Sequence, residues 1–158
     1  MSFDARTFRD TLGHFATGVC VITTKCEGVP AFGMTVNSFA SLSLDPPLVL
    51  WSIGKSSDCF DPFAKAGGYV VNVLREDQIE LSNRFATKDG HGLADNEWRP
   101  GHLNLPVLSD TLAVIECDID QRIDGGDHVI MVGRVKHCEY REGKPLLFFG
   151  GKYGAIAG

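Results

Sequence analysis

Four places along the chain combine residue types that could hold a ligand or move a proton. The first is Gly33-Met34-Thr35-Val36-Asn37-Ser38-Phe39-Ala40-Ser41. It opens on a glycine, changes from strand to irregular backbone and then returns to strand. A break of that kind frees backbone N–H groups from ladder partners, and the hydroxyls of Thr35, Ser38 and Ser41 add donors. A flat heteroaromatic ring with acceptors along one edge would satisfy them. An ordinary turn, its Ser and Thr bonding their own backbone, would do so too. The second place is Lys55-Ser56-Ser57, which reads as the opening of a helix running to about Ala66. Helix N-termini attract anions through free N–H groups and the dipole, so a phosphate suits it; a plain serine cap beside a solvated lysine is the alternative. The third is Gly126-Asp127-His128 at a hairpin mouth, where His128 could meet a ligand or carry a proton near neutral pH, or simply bond Asp127. The fourth is Tyr153 in the glycine-rich tail, a residue that could stack on a flat ring or lie in a frayed end.

Other chemistry is excluded by what is missing. No GxGxxG follows a strand, no GxxxxGK[ST] is present, and there is no GxSxG elbow. His14, His91, His102, His128 and His137 show no metal-ligand spacing, so no metal is expected.

The elements that must position these residues are short. Residues 4–17 read as an amphipathic helix capped by Asp4, with Phe8, Leu12 and Phe15 on one face and Gly18 as its stop. β-branched residues crowd 19–24, and further strands are expected at 31–35, 39–44, 48–53 and 69–74, with Asp45-Pro46-Pro47 as punctuation. Residues 77–86 read as a helix burying Leu81 and Phe85. Residues 87–106 have no period and read as a long loop. In 113–120 apolar residues alternate with acids, which predicts a strand with one wet face. Asp124-Gly125-Gly126-Asp127 turns it back into a partner strand at 128–138, and 145–149 adds a last one. Seven or eight strands following one another directly, with two or three helices at the edge, argue for an antiparallel barrel rather than a doubly wound parallel sheet.

At 158 residues the chain is expected to be one domain, residues 1–158. Net charge is −5 with no Lys/Arg cluster, which leaves no footprint for nucleic acid. Five cysteines without a CxxC pair argue against a disulfide framework and for a reducing, cytoplasmic setting. MSFDARTFRD is too charged for a signal peptide, and no apolar run could cross a membrane.

In order and spacing, the segments Phe8-Arg9-Asp10, Gly13 to Val19, Gly33 to Phe39, Ser41 to Leu50 and Gly126-Asp127-His128 resemble the short-chain flavin reductases, which include the reductase components of two-component flavin monooxygenases. The resemblance covers nearly the whole chain. It implies a mainly β fold, the FMN-binding split β-barrel, antiparallel and Greek-key-like with a few peripheral helices, acting as a homodimer. It implies NAD(P)H-dependent reduction of FMN or FAD by hydride transfer, with NADH or NADPH as donor, and delivery of reduced flavin to an oxygenase component. Flavin contacts implied by it are Met34, Thr35, Val36, Asn37, Ser38, Phe39, Ser41 and Ser52, with Lys55, Ser56 and Ser57 near the phosphate and Arg84, Phe85 and Ala86 beside the cofactor. It places His128 where the nicotinamide arrives and matches Tyr153 loosely to an aromatic tail position. Many relatives carry Ser or Thr where this chain has Asn37, which still offers a donor and an acceptor. A split-barrel electron carrier, or an oxidase without a nicotinamide site, would share the ring-binding bend.

Overall fold

Asp4 caps the first helix by accepting the N–H of Thr7 at 2.7 Å, and helix α1 (Ala5–Leu12) follows. The computed structural model describes Met1–Gly158. α1 is shorter than its apolar spacing suggests. It closes at Gly13, because the next residues must extend for β1 (Thr17–Gly18) to join a small sheet. The stripe of Phe8, Leu12 and Phe15 faces outward, 50%, 58% and 77% exposed, and no residue of α1 is buried. An amphipathic helix ordinarily turns that side to a core.

β-branched and aromatic runs then form β2 (Cys20–Cys26), β3 (Val29–Val36), β4 (Ala40–Leu44) and β5 (Pro47–Gly54), followed by α2 (Phe60–Lys65), β6 (Gly68–Val73) and α3 (Ile79–Ala86). Residues 87–106 are not the structureless loop expected. A 3₁₀ turn at Asp95–Glu97 leads into a hairpin of β7 (Trp98–Pro100) and β8 (Pro106–Leu108). The prolines that disguised these strands sit at their ends, where a missing N–H is tolerated. β9 (Ala113–Gly125) and β10 (His128–Tyr140) make the long hairpin, turning at Gly126 with φ +68°. β11 (Leu147–Phe149) and β12 (Lys152–Gly154) complete the three-stranded sheet β1-β11-β12. The tail is therefore a paired strand, not a frayed end.

The main sheet runs β3-β2-β6-β9-β10-β5-β4, and every neighbouring pair is antiparallel. Its edge strands, β3 and β4, are consecutive in sequence and separated only by residues 37–39. Laid flat, six inter-strand gaps of about 4.8 Å would hold those edges about 29 Å apart. Four residue steps reach at most about 14 Å. The sheet must therefore curl until its edges meet, and residues 37–39 bridge the seam of the resulting split barrel. Trp51, Phe63 and Tyr69 fill the interior, Trp51 meeting both other rings edge-on at centroid distances of 4.9 and 5.7 Å. A second apolar cluster of Val21, Leu74, Phe85, Leu93, Leu108 and Leu146 seats α3 against the outside of β2 and β3.

β9 corrects one reading. Its acids were expected on a wet face, yet Glu116 is 1% exposed. The turn between β7 and β8 covers it, and Leu103 donates its N–H to Glu116 Oε1 at 3.0 Å.

Candidate functional site

Asn37, Ser38 and Phe39 belong to no strand, and their three N–H groups find no acceptor within the chain. What holds them is the Ser38 side chain. Its hydroxyl accepts the Ser52 N–H at 3.0 Å and donates to the Ser52 carbonyl at 3.2 Å. It thus stands in for a strand residue beyond the end of the β4–β5 pairing, which stops at Ala40↔Leu50. Ser38 consequently has no spare hydroxyl for a ligand. Thr35 is committed likewise, donating to the Ser82 carbonyl at 2.7 Å. The sequence suggested freed main-chain N–H groups with hydroxyls as added donors; the main-chain N–H groups of the bend are free, while the hydroxyls of Thr35 and Ser38 are spent on holding it.

Two adjoining hollows flank the bend. One, of about 200 Å³, is lined by Val19, Thr35, Val36, Asn37, Ser82, Ala86, Phe148 and Tyr153. The other, of about 310 Å³, is lined by Met34, Thr35, Ser56, Ser57, Asp58, Phe85, Ala86, Lys88 and His91. Thr35 and Ala86 belong to both, so the two read as one cleft between the barrel seam and α3. The first hollow is mostly apolar with a polar rim, as a flat ring requires. The second collects serines, a lysine and a histidine, as a phosphate requires. Tyr153 forms a wall of the first: its ring meets Phe148 edge-on at 5.5 Å, its hydroxyl donates to Asn83 Oδ1 at 2.9 Å and lies 2.7 Å from Ser82 Oγ.

The candidates therefore divide. Met34, Thr35, Val36, Asn37, Ser56, Ser57, Phe85, Ala86 and Tyr153 line the cleft. Ser38 and Ser52 fix the bend through each other. Phe39 packs against the barrel core, and Ser41 lies exposed on β4 away from both hollows. Lys55 pairs with Asp124 at 2.5 Å and bonds its N–H to Asp127 at 2.9 Å, tying the turn to the β9–β10 hairpin. The helix expected to begin at Ser56 begins at Phe60. The Ser57 hydroxyl accepts the Cys59 N–H at 3.1 Å, which spends those residues on a tight turn. Arg84 points away from the cleft. It forms a fork on the Glu97 carboxylate, donates to the Gly92 carbonyl at 2.7 Å and holds the Glu97 carboxyl down at about 2. The Ala94 N–H adds to that depression. His128 sits on β10 opposite Gly54, beside the Lys55 turn and lining neither hollow, half-exposed, with Nδ1 2.7 Å from Asp127 Oδ1. That contact is the main reason the Asp127 carboxyl lies below its usual value.

Lys88 and His91 were missed. They come from the stretch read as a loop, and only the arrangement of residues 91–93 along the β3 edge brings them in. Gly33 donates to the His91 carbonyl at 2.8 Å, His91 Nδ1–H donates to the Gly33 carbonyl at 2.9 Å, and Leu93 donates to Ala31 at 3.0 Å.

Barrel, seam and cleft together define a split β-barrel suited to a flat ring with acceptors on one edge and a phosphate at its far end. The chain belongs to the flavin reductase like domain family, which matches residues 12–157. It is 47% identical over 154 residues to the FMN reductase (NADH) SmoA of Agrobacterium fabrum, covering 98% of this chain and 87% of that protein. It is 43% identical over 156 residues to HsaB of Rhodococcus jostii, the reductase subunit of a flavin-dependent monooxygenase, covering 98% and 80%. Among solved structures it superposes on the NADH:FAD oxidoreductase SgcE6 of Streptomyces globisporus C-1027 with TM-score 0.91 and 33% identity, over 98% of this chain and 94% of that one.

Proposed function

We propose that this protein is an NADH-using flavin reductase whose reduced flavin serves a partner monooxygenase. The observation that carries the reading is the bend at Asn37–Phe39, whose three main-chain N–H groups have no acceptor in the chain and whose first residue, Asn37, lines the cleft. Main-chain donors left free by the chain suit an acceptor-rich ligand edge. A bound flavin would accept hydride at N5 from the nicotinamide and carry negative charge on its pyrimidine edge. The chain's part is preorganised donation: N–H groups already aimed, and held by Ser38, need no reorganisation as that charge grows. Ser56, Ser57, Lys88 and His91 would hold the phosphate arm. Tyr153 and Phe148 would wall the ring. His128, half-exposed beside the Lys55 turn, would orient the nicotinamide or its ribose-phosphate arm.

The oxygenase partner is supported by relatives named as monooxygenase reductase subunits, and NADH by relatives named for it. The same names count against an electron carrier or an oxidase lacking a nicotinamide site. A homodimer is supported by the outward stripe of Phe8, Leu12 and Phe15, which a second copy would cover. We read residues 1–158 as one domain. Five free cysteines and no disulfide fit a reducing cytoplasm, and no helix is long and apolar enough to cross a membrane.

A steady-state assay crossing FMN and FAD with NADH and NADPH tests the reading. Loss of nicotinamide absorbance that depends on free flavin is the expected result. A protein that binds flavin but never oxidises the nicotinamide overturns it.

A further inference from the structure

We propose that His102, Glu116 and His137 form a binding site for a divalent transition-metal ion of the zinc class. The three are 14 and 21 residues apart in sequence and meet only because the turn between β7 and β8 folds over β9 and β10. One ligand atom from each lies within 4.8 Å of the other two. The carboxylate is built in rather than incidental: Glu116 is 1% exposed, its Oε1 is held by the Leu103 N–H, and its Oε2 lies 3.4 Å from His102 Nδ1. His137 Nε2 is buried and has no hydrogen-bond partner. Its nearest acid, Glu139, is 3.8 Å away and is already held by Arg99 at 2.6 Å. The two imidazoles stack on each other at 3.6 Å between ring centroids. A Cβ on Gly101 would stand 2.2 Å from Glu116 Oε1, so only glycine lets the turn close over the cluster.

Two imidazoles and a carboxylate match zinc's preferred donors, and three protein ligands leave a fourth position for water. Four-coordinate zinc with bonds near 2.0–2.1 Å needs ligand atoms about 3.3 Å apart. His102 Nδ1 already stands 3.4 Å from Glu116 Oε2, so closing to that spacing falls to the His137 side chain. The site shares no residue with the flavin cleft. Its effect would be to clip the β7–β8 hairpin to the sheet, so metal binding should raise stability in proportion to the logarithm of its concentration.

The test is titration of metal-stripped full-length protein, with Zn²⁺ by calorimetry and with Co²⁺ by visible absorption. One ion per chain is expected, with the intense d–d bands of four-coordinate Co²⁺. Loss of an outer-shell partner already costs about 10–100-fold in metal affinity, so His102→Ala and His137→Ala should each weaken binding at least tenfold. His102 is exposed, so H102A should fold; zinc should raise Tm in the wild type and not in H102A. His14→Ala and Cys138→Ser, which lie outside the cluster, should bind as wild type. Absence of binding in the wild type, wild-type binding by H102A and H137A, or loss of binding in Cys138→Ser would each overturn the assignment.

Discussion

Replacing Ser38 by alanine removes one hydroxyl and two hydrogen bonds, both to the main chain of Ser52. Each bond contributes about 0.5–1.5 kcal/mol net, and both ends are half-buried, so the variant should lose about 2 kcal/mol. A domain of this size shifts by about 2–4 °C per kcal/mol, which makes the expected fall in Tm about 4–8 °C. The functional effect should be larger than stability alone suggests, because the bend carries the three free N–H groups proposed to meet the flavin edge. Flavin affinity should drop markedly while KM for NADH moves little. Ser41→Ala is the internal control: an exposed hydroxyl on the same stretch with no bonded partner, it should change Tm by no more than about 0.5 kcal/mol equivalent. Calorimetry and fluorescence titration with FMN measure both quantities. If S38A and S41A behave alike in Tm and in flavin binding, the hydroxyl does not hold the bend and the account of the seam fails.

His128→Ala should raise KM for the nicotinamide cofactor well beyond its effect on flavin affinity; a variant that loses flavin alone would remove His128 from the nicotinamide's path. Tyr153→Phe keeps the ring against Phe148 but leaves Ser82 and Asn83 without their partner, so about 1 kcal/mol of stability should go while flavin still binds; chemical denaturation checks this. The Glu97 carboxyl, held at about 2 instead of 4.5 by Arg84 and the Ala94 N–H, stabilises the fold above its ordinary value and loses that contribution as pH falls towards 2. Glu97→Gln should therefore be less stable at neutral pH, with a shallower acid limb between pH 4.5 and 2; a limb identical to wild type would refute the pairing.

Local signals in the sequence carried most of the barrel. β2, β5 and β6 were visible as β-branched runs, and the β9–β10 hairpin as Gly-Gly between two strand patterns. What was hidden depends on distant partners. α1 ends early because Thr17 and Gly18 pair with Phe148 and Leu147, which no local pattern shows. Arg84 was placed beside the cofactor by the family resemblance, and its pairing with Glu97, across a stretch with no local period, had no signal in the sequence. Glu116 read as wet because alternation predicts which face a residue takes and not what later covers it. In the cleft, the residue types of the Met34–Phe39 stretch were legible but their division of labour was not. Hydroxyls that looked like ligand donors are spent on the protein, and His91 enters by pairing with the edge of β3.

The order of strands also constrains how the molecule is made. β9 and β10 are synthesised after every other strand of the main sheet, and they alone join β6 to β5. Until residue 140 has emerged, the growing chain holds two separate fragments, β3-β2-β6 and β5-β4, neither able to enclose Trp51 or Tyr69. Closure entropy must be met before those distant pairings return anything. Closure of the barrel should therefore wait until β10 has emerged, and a nascent chain stalled near residue 110 should be prey for proteases and a client for chaperones.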